Sequence, residues 1–336
     1  MKYYKILRSD MTHHGFVYKE GLNIDTESFD ETPDCGGGLF FSDAEHILSF
    51  VGYGNLIAEV EVPDGTKIVQ VEDKYKAHAI VLKNIKPICT VDTFKYFIGE
   101  NIHFQNDWAF RYAVENRNLE LVKFLGDNGA NIHMYSDYVF RFAAENGYLD
   151  MVKYLVSKGA NIHAVDDWAL RYSTGHGHLD VVQYLIDKGA DIHADDDYAF
   201  RYASENGHIE VVQYLIDKGA DIHAKNDWAF RYAAENGHIE VVQYLVSKGA
   251  DIHADDDYVF KCAAENGYLE VVKCLIDNGA DIHAADDCAF KYAAEYGYLD
   301  IVKYLAGHGA DIHAADDCAF KYGTPEVVAY LNSLNK

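Results

Sequence analysis

Between residues 191 and 220 apolar side chains recur at helical spacing in two separate runs. Ala199, Phe200 and Ala203 share one face of a first helix, and Ile209, Val212, Leu215 and Ile216 fall at i, i+3, i+6 and i+7 of a second. Gly207 and Gly219 follow the two runs, each supplying the left-handed residue that ends a helix. The pattern repeats every 30 residues: Asn-Ile-His or Asp-Ile-His stands at 101, 131, 161, 191, 221, 251, 281 and 311 without slippage. This periodicity predicts a stacked solenoid of helix pairs, in which no repeat can bury its apolar face alone. A single compact globule is excluded for that part of the chain.

Residues 1–87 show no repeat and a different pattern. Tyr3–Leu7, Gly38–Phe41, Leu56–Val62, Lys67–Val71 and Ala79–Leu82 read as strands by alternation or apolar content. Ser42 followed by Glu45 predicts a capping box for a helix from Asp43 to about Val51, and Asp64-Gly65 a hairpin turn. The expected organisation is a small α+β domain over 1–87, a capping helix within 88–100, seven repeats over 101–310, and a truncated eighth with a carboxy-terminal cap over 311–336. The fold class is therefore mainly α. In the last segment Thr324 and Pro325 open the final helix.

Charge narrows the range of partners. The chain of 336 residues carries a formal net charge of −25, of which −19 falls in residues 101–336. Such a field repels phosphate backbones and anionic lipid, so neither nucleic acid nor membrane is expected as a partner. No apolar run approaches the roughly 20 residues that span a bilayer, and MKYYKILRSD lacks the apolar core of a secretory signal. Six cysteines without a C-x-x-C pair read as reduced thiols of a cytoplasmic protein. A monomer that meets a protein with a basic contact surface is the expected state.

Several columns recur within the repeat. Asp107, Asp137, Asp167, Asp197, Asp227, Asp257, Asp287 and Asp317 precede each first helix and are expected to cap it. Trp108, Trp168 and Trp228 open three of those helices, either as interface anchors or as cover for the seam between repeats. Arg111, Arg141, Arg171, Arg201 and Arg231, followed by Lys261, Lys291 and Lys321, are expected to neutralise neighbouring acids. The histidines at 103, 133 and every 30 residues to 313 invite a metal. Rungs packed about 8–10 Å apart cannot share an ion whose nitrogen ligands lie at roughly 2.0–2.1 Å. They are expected to bond turn backbone instead. Asp195-Asp196-Asp197 and Asp255-Asp256-Asp257 lack the ligand alternation of a calcium loop and read as solvated turn charge. Neither metal nor cofactor is expected.

The stretch G-H-I-E-V-V-Q-Y-L-I-D-K-G-A-D-I-H-A resembles the second helix and turn of an ankyrin repeat, and its 30-residue form resembles the repeats of giant viruses of the Mimivirus type. Tyr198-Ala199-Phe200-Arg201 stands where the family carries T-P-L-H, and about three residues are missing before it, so shorter turns are expected. The resemblance implies a non-enzymatic, protein-binding scaffold, located in the host-cell cytosol if viral, whose partner lies on a concave face. Mapped here, that face selects Glu115, Glu145, Glu205, Glu235, Glu265 and Glu295, with the turn acids Asp195, Asp196, Asp255 and Asp256.

The amino-terminal region resembles an uncharacterised module of giant-virus and phage proteins through G-F-V-Y-K-E-G-L-N-I and C-G-G-G-L-F-F-S-D. More distantly, His14-Gly15, Gly21-Leu22-Asn23-Ile24 and Gly38-Leu39-Phe40-Phe41-Ser42 are similar to the nicotinamide-binding segments of ADP-ribosyltransferases, with Glu72 as the nearest acid. That alternative implies NAD in the head and the repeats as substrate receptor. A ubiquitin-ligase adaptor expects a carboxy-terminal F-box-like tail, for which the residues after the last first helix leave no room.

Overall fold

The computed structural model describes residues 2–13, 15–26, 29–32, 37–99 and 106–334, without the side chains of 106, 107, 255 and 256. His14, Cys35 and His103, and the side chains of Asp107, Asp255 and Asp256, therefore lie outside the described residues. The chain divides into two compact units, 1–134 and 135–336.

In the first unit, β1 (Tyr3–Leu7), β4 (Gly21–Ile24), β5 (Leu39–Asp43), β6 (Leu56–Glu61), β7 (Ile68–Val71), β8 (Lys74–Ala77) and β9 (Ala79–Pro87) form one antiparallel sheet. Its order is β4-β9-β6-β1-β5-β8-β7, and β2 (Thr12–His13) pairs with β3 (Phe16–Val17) beside it. Leu7, Leu39, Phe41, Ala58, Val60, Ile80 and Leu82 make the core.

Two local expectations are corrected in this unit. Ser42 belongs to β5, and its hydroxyl donates to the Asp73 carbonyl; the Asp43 carboxylate accepts from the Glu45 and His46 backbone N–H groups in the turn that follows. A 3-10 helix follows at Ile47–Tyr53. The Asp64-Gly65 turn exists, with Thr66 N–H bonded to the Pro63 carbonyl, but it joins strands that are not neighbours. β6 lies between β1 and β9, whereas β7 pairs with β8 through a turn at Glu72, whose φ is 53°. Turn chemistry reports a reversal of the chain but not which strand it finds beside it.

The expected break near residue 87 is a change of secondary structure inside this unit. Helix α1 (Val91–Gly99) opens with Thr90, whose hydroxyl accepts from the Thr93 N–H, and a first helix pair follows as α2 (Asn106–Glu115) and α3 (Leu119–Asp127). Arg117 stands where later repeats have glycine and still takes φ 54°, so the left-handed stop is kept at a strain cost of about 1–2 kcal/mol.

The second unit stacks helix pairs: α4 (Met134–Glu145) with α5 (Leu149–Ser157), α6 (Ala164–Gly175) with α7 (Leu179–Asp187), α8 (Ala194–Glu205) with α9 (Ile209–Asp217), and α10 (Ala224–Glu235) with α11 (Ile239–Ser247). It continues through α12 (Ala254–Glu265), α13 (Leu269–Asp277), α14 (Ala284–Tyr296), α15 (Leu299–Gly307), α16 (Ala314–Tyr322) and α17 (Pro325–Leu334). From α6 to α16 first helices pack on first helices, and from α5 to α17 second helices pack on second helices, as a solenoid requires. Ala199, Phe200 and Ala203 are buried as their spacing predicts. In α9 the buried residues are Val211, Val212 and Leu215, with Ile209 and Ile216 only half-buried. Helices on both sides in the stack widen and rotate the stripe that one helix's periodicity suggests.

Candidate functional site

The entry to each first helix is not a simple cap. Asp195, Asp196 and Asp197 occupy left-handed backbone with φ 54°, 54° and 58°, and the same holds for 135–137, 165–167, 225–227, 285–287 and 315–317. Aspartate and asparagine tolerate this region better than other side chains, which accounts for their frequency in the last two places. The arginine column secures the turn. Arg201 donates from Nε and Nη2 to the Asp196 and Asp195 carbonyls at 2.9 Å, and Arg141 bonds the Ser136 and Tyr135 carbonyls in the same way. Carboxylates, its expected partners, are also met, by Arg111 with Glu115 at 3.2 Å and by Arg171 with Asp195 at 3.3 Å.

The aspartates expected to cap their own helices bond across the repeat boundary instead. Carboxylates of Asp137, Asp167, Asp197, Asp227, Asp257 and Asp287 accept the backbone N–H at i+24, in the next repeat, at 2.9–3.2 Å. Those of Asp167, Asp197, Asp227, Asp257, Asp287 and Asp317 also meet Nδ1 of the histidine at i−4, at 2.6–3.1 Å. His163, His193, His223, His253, His283 and His313 therefore pair with a carboxylate rather than with turn backbone. The left-handed turn is the reason, because it swings the aspartate away from its own first-turn N–H groups. In each Asp-Ile-His the leading carboxylate accepts the histidine's N–H, as Asp191 does from His193 at 2.9 Å. The Asp287 carboxylate holds the exposed His283 imidazole above the usual histidine range.

A second contact across the boundary lies at the glycine before each second helix. His208 and His238 donate from Nε2 to the Gly175 and Glu205 carbonyls at 2.9 Å, and their rings cover Gly177 and Gly207 of the preceding repeat. Tyr268 and Tyr298 cover Gly237 and Gly267 likewise. Burial holds His178 below the usual histidine range, while a bond to the Glu145 backbone acts the other way. The folded state therefore binds that proton more weakly than the unfolded chain. Stability contributed by neutral His178 is present above about pH 6.5 and is lost as pH falls below that value. His178→Tyr, which installs the residue found at 148, 268 and 298, is expected to reduce the loss of stability between about pH 6.5 and 5 in urea titrations. An unchanged pH profile would count against His178 as its source.

The columns selected as partner-binding are distributed as follows. Trp108, Trp168 and Trp228 are all half-buried. Trp168 and Trp228 stack on Tyr172 and Tyr232 at 3.9 Å, and each lies under the arginine of the preceding repeat, Arg141 at 5.2 Å and Arg201 at 5.0 Å. They cover the seam and keep part of each ring in solvent. Glu115, Glu145, Glu205, Glu235 and Glu265 are half-buried and Glu295 is exposed. Burial, reinforced by the Glu235 charge and opposed by Arg201, pushes the Glu205 carboxyl above its ordinary value. Gly175 interrupts the column, and a β-carbon there would stand 2.1 Å from the Tyr202 ring. The turn acids are partly neutralised: Asp196 pairs with Lys225 at 2.7 Å, which holds its carboxyl below the usual range.

In the head a cavity of about 700 Å³ is lined by Lys5, His13, Gly15, Phe16, Tyr18, Asp25, Phe40, Ser42, Phe50, Tyr53 and Lys74, among others. Of the residues similar to the ADP-ribosyltransferase segments, Gly15, Gly38, Leu39, Phe40, Phe41 and Ser42 line it. Glu72 sits exposed on the β7–β8 turn and is absent from the lining. Lys5, in an apolar strand pattern, gives no sign of this role in the sequence.

A family model described as ankyrin repeats in three copies matches residues 86–166, 110–196, 140–226, 170–256 and 230–316. Similar proteins of Acanthamoeba polyphaga mimivirus include one named as ankyrin repeat protein R868, 31% identical over 134 residues, or 38% of this chain and 67% of that protein. Those named R896 and R229 are 36% and 33% identical over 38% and 33% of this chain, which spans only 41% and 40% of their lengths. Among solved structures, the human ASB11 ankyrin repeat domain superposes with a TM-score of 0.49 at 20% identity, over 56% of this chain and 92% of that one. Among the described residues no helix is long and apolar enough to cross a membrane.

Proposed function

Because the chain belongs to the ankyrin-repeat family, whose repeats are protein-interaction modules, we propose that it is a scaffold for a protein with a basic contact surface. The carrying observation is the carboxylate column of Glu145, Glu205, Glu235, Glu265 and Glu295, beside aromatic rings that keep part of their surface in solvent. Charge would steer encounter, and the half-buried rings would supply contact area. Asp195, Asp196 and the exposed parts of Trp168 and Trp228 extend the same reading. Mimivirus relatives favour a role between virus and host, in the host-cell cytosol.

The test is affinity purification from host lysate, with the wild-type chain beside a variant carrying Glu→Gln at 115, 145, 205, 235, 265 and 295. The variant is expected to lose the basic partner, at about 0.2–1 kcal/mol per neutralised carboxylate. Wild-type affinity should fall steeply between low and physiological ionic strength. A partner retained by the variant and indifferent to salt would overturn the acidic face as the contact.

A second reading gives the head an NAD-binding, ADP-ribosyltransferase-like role, favoured by the gathering of Gly15, Phe40 and Ser42 on one cavity. Calorimetric titration of NAD into the full chain tests it, and no heat at millimolar NAD ends it.

A further inference from the structure

The head cavity presents an unusual cation. Lys5 on β1 is 2% exposed; its Nζ donates to the Phe40 carbonyl at 2.6 Å and lies 4.4 Å from the centre of the Tyr18 ring. Among the described residues no carboxylate forms an ion pair with it. Around it the walls are rings, Phe16, Tyr18, Phe40, Phe50 and Tyr53, and Lys74 lies 4.8 Å over the Phe40 ring. Besides the Tyr18 and Tyr53 phenols, the other titratable groups in the lining are His13 and Asp25, and the Asp25 carboxylate already accepts the Gly38 N–H at 2.6 Å. Among the described lining residues two lysines stand against one aspartate, in a chain of net charge −25. Its volume, about 700 Å³, lies within the range of small-molecule sites.

We propose that this cavity binds a small aromatic anion, its rings against the aromatic walls and its anionic group received by Lys5. A buried ammonium without a counter-charge is costly, and a ligand that brings the charge removes that cost. Neutral aromatic molecules gain the walls alone. A cationic ligand meets repulsion. The proposal is independent of the scaffold reading and does not require that NAD be the ligand.

Burial lowers the Lys5 ammonium to about 7, so near neutral pH the amine is substantially deprotonated. An anion that binds the protonated form must therefore take up a proton above that pH. The probes are anilinonaphthalene sulfonate and, with the same rings and no charge, phenylnaphthylamine, titrated into the full-length chain. Sulfonate affinity is expected to fall about tenfold per pH unit above about pH 7, with close to one proton taken up near pH 8 in calorimetry across buffers of different ionisation enthalpy. The neutral amine should show neither effect. Lys5→Met should abolish the uptake and level the pH profile, and Lys74→Met should weaken the sulfonate while leaving uptake intact. Should Lys5→Met not fold, the wild-type chain decides through the contrast between the two probes. Equal affinity for both probes, a flat sulfonate profile, or proton uptake that persists in Lys5→Met would overturn the proposal.

Discussion

Gly207→Ala is expected to destabilise the stack by about 2–5 kcal/mol, as the sum of left-handed strain and overpacking. Gly207 has φ +77°, and a β-carbon there would stand 2.4 Å from Nδ1 of His238. The ring cannot swing aside without releasing the Glu205 carbonyl. Gly219, with φ +101° and nothing within 4 Å, supplies the control. Gly219→Ala carries only the backbone strain, about 1–2 kcal/mol. Urea unfolding of the full chain measures both, and adding His238→Ala to Gly207→Ala should recover the packing part as a coupling energy. Because stability in a stack is a sum of repeat and neighbour contributions, the damaged boundary is also expected to split the unfolding transition. Equal losses for the two alanines would mean that the ring is not what the glycine makes room for.

Asp197→Ala is expected to cost about 2–4 kcal/mol, from unsatisfied partners and from alanine at φ 58°. Asp197 is 6% exposed and serves both the Asp221 N–H and the His193 imidazole. Removing it leaves a donor of the next repeat without an acceptor. Asp197→Asn keeps an oxygen for that N–H and a side chain that tolerates the left-handed region, so it should lose well under half as much. If asparagine and alanine prove equally damaging, the bond to the following repeat is not the source, and the contact between the carboxylate and the His193 imidazole is.

The two variants mark how far the sequence could be read. Gly207 is recognisable as a helix stop because the apolar run ends there and the same residue returns every 30 positions. Its second constraint, the ring of His238 lying on it, joins residues 31 apart whose contact depends on how far one repeat is offset from the next. Asp197 was conspicuous for the same reason of recurrence. The expectation of a cap failed because the preceding backbone turns left-handed, which no propensity scale indicates for Lys225 or Val165. The arginine column was visible as a column, while its carbonyl partners were hidden, because main-chain acceptors leave no trace in residue identity. In the head, alternation located most strands, yet Lys5 sat unnoticed within one of them. Burial of a lysine is decided by which strands flank it.

The sequence by itself determined the repeat length, the helix pair, the glycine stops, the buried Ala199, Phe200 and Ala203, and the acidity of the stack. Each follows from local periodicity or from counting, and neither depends on where the next repeat is placed. Tertiary structure alone decided which columns touch: aspartate with the N–H of the following repeat, histidine or tyrosine ring with the glycine of the preceding one, arginine with turn carbonyls and the next aromatic. It also gathered the cavity around Lys5 from strands distant in the chain. The physical reason is common to all of them. A period fixes what recurs, whereas the offset between stacked helices and the order of strands in a sheet fix what is adjacent.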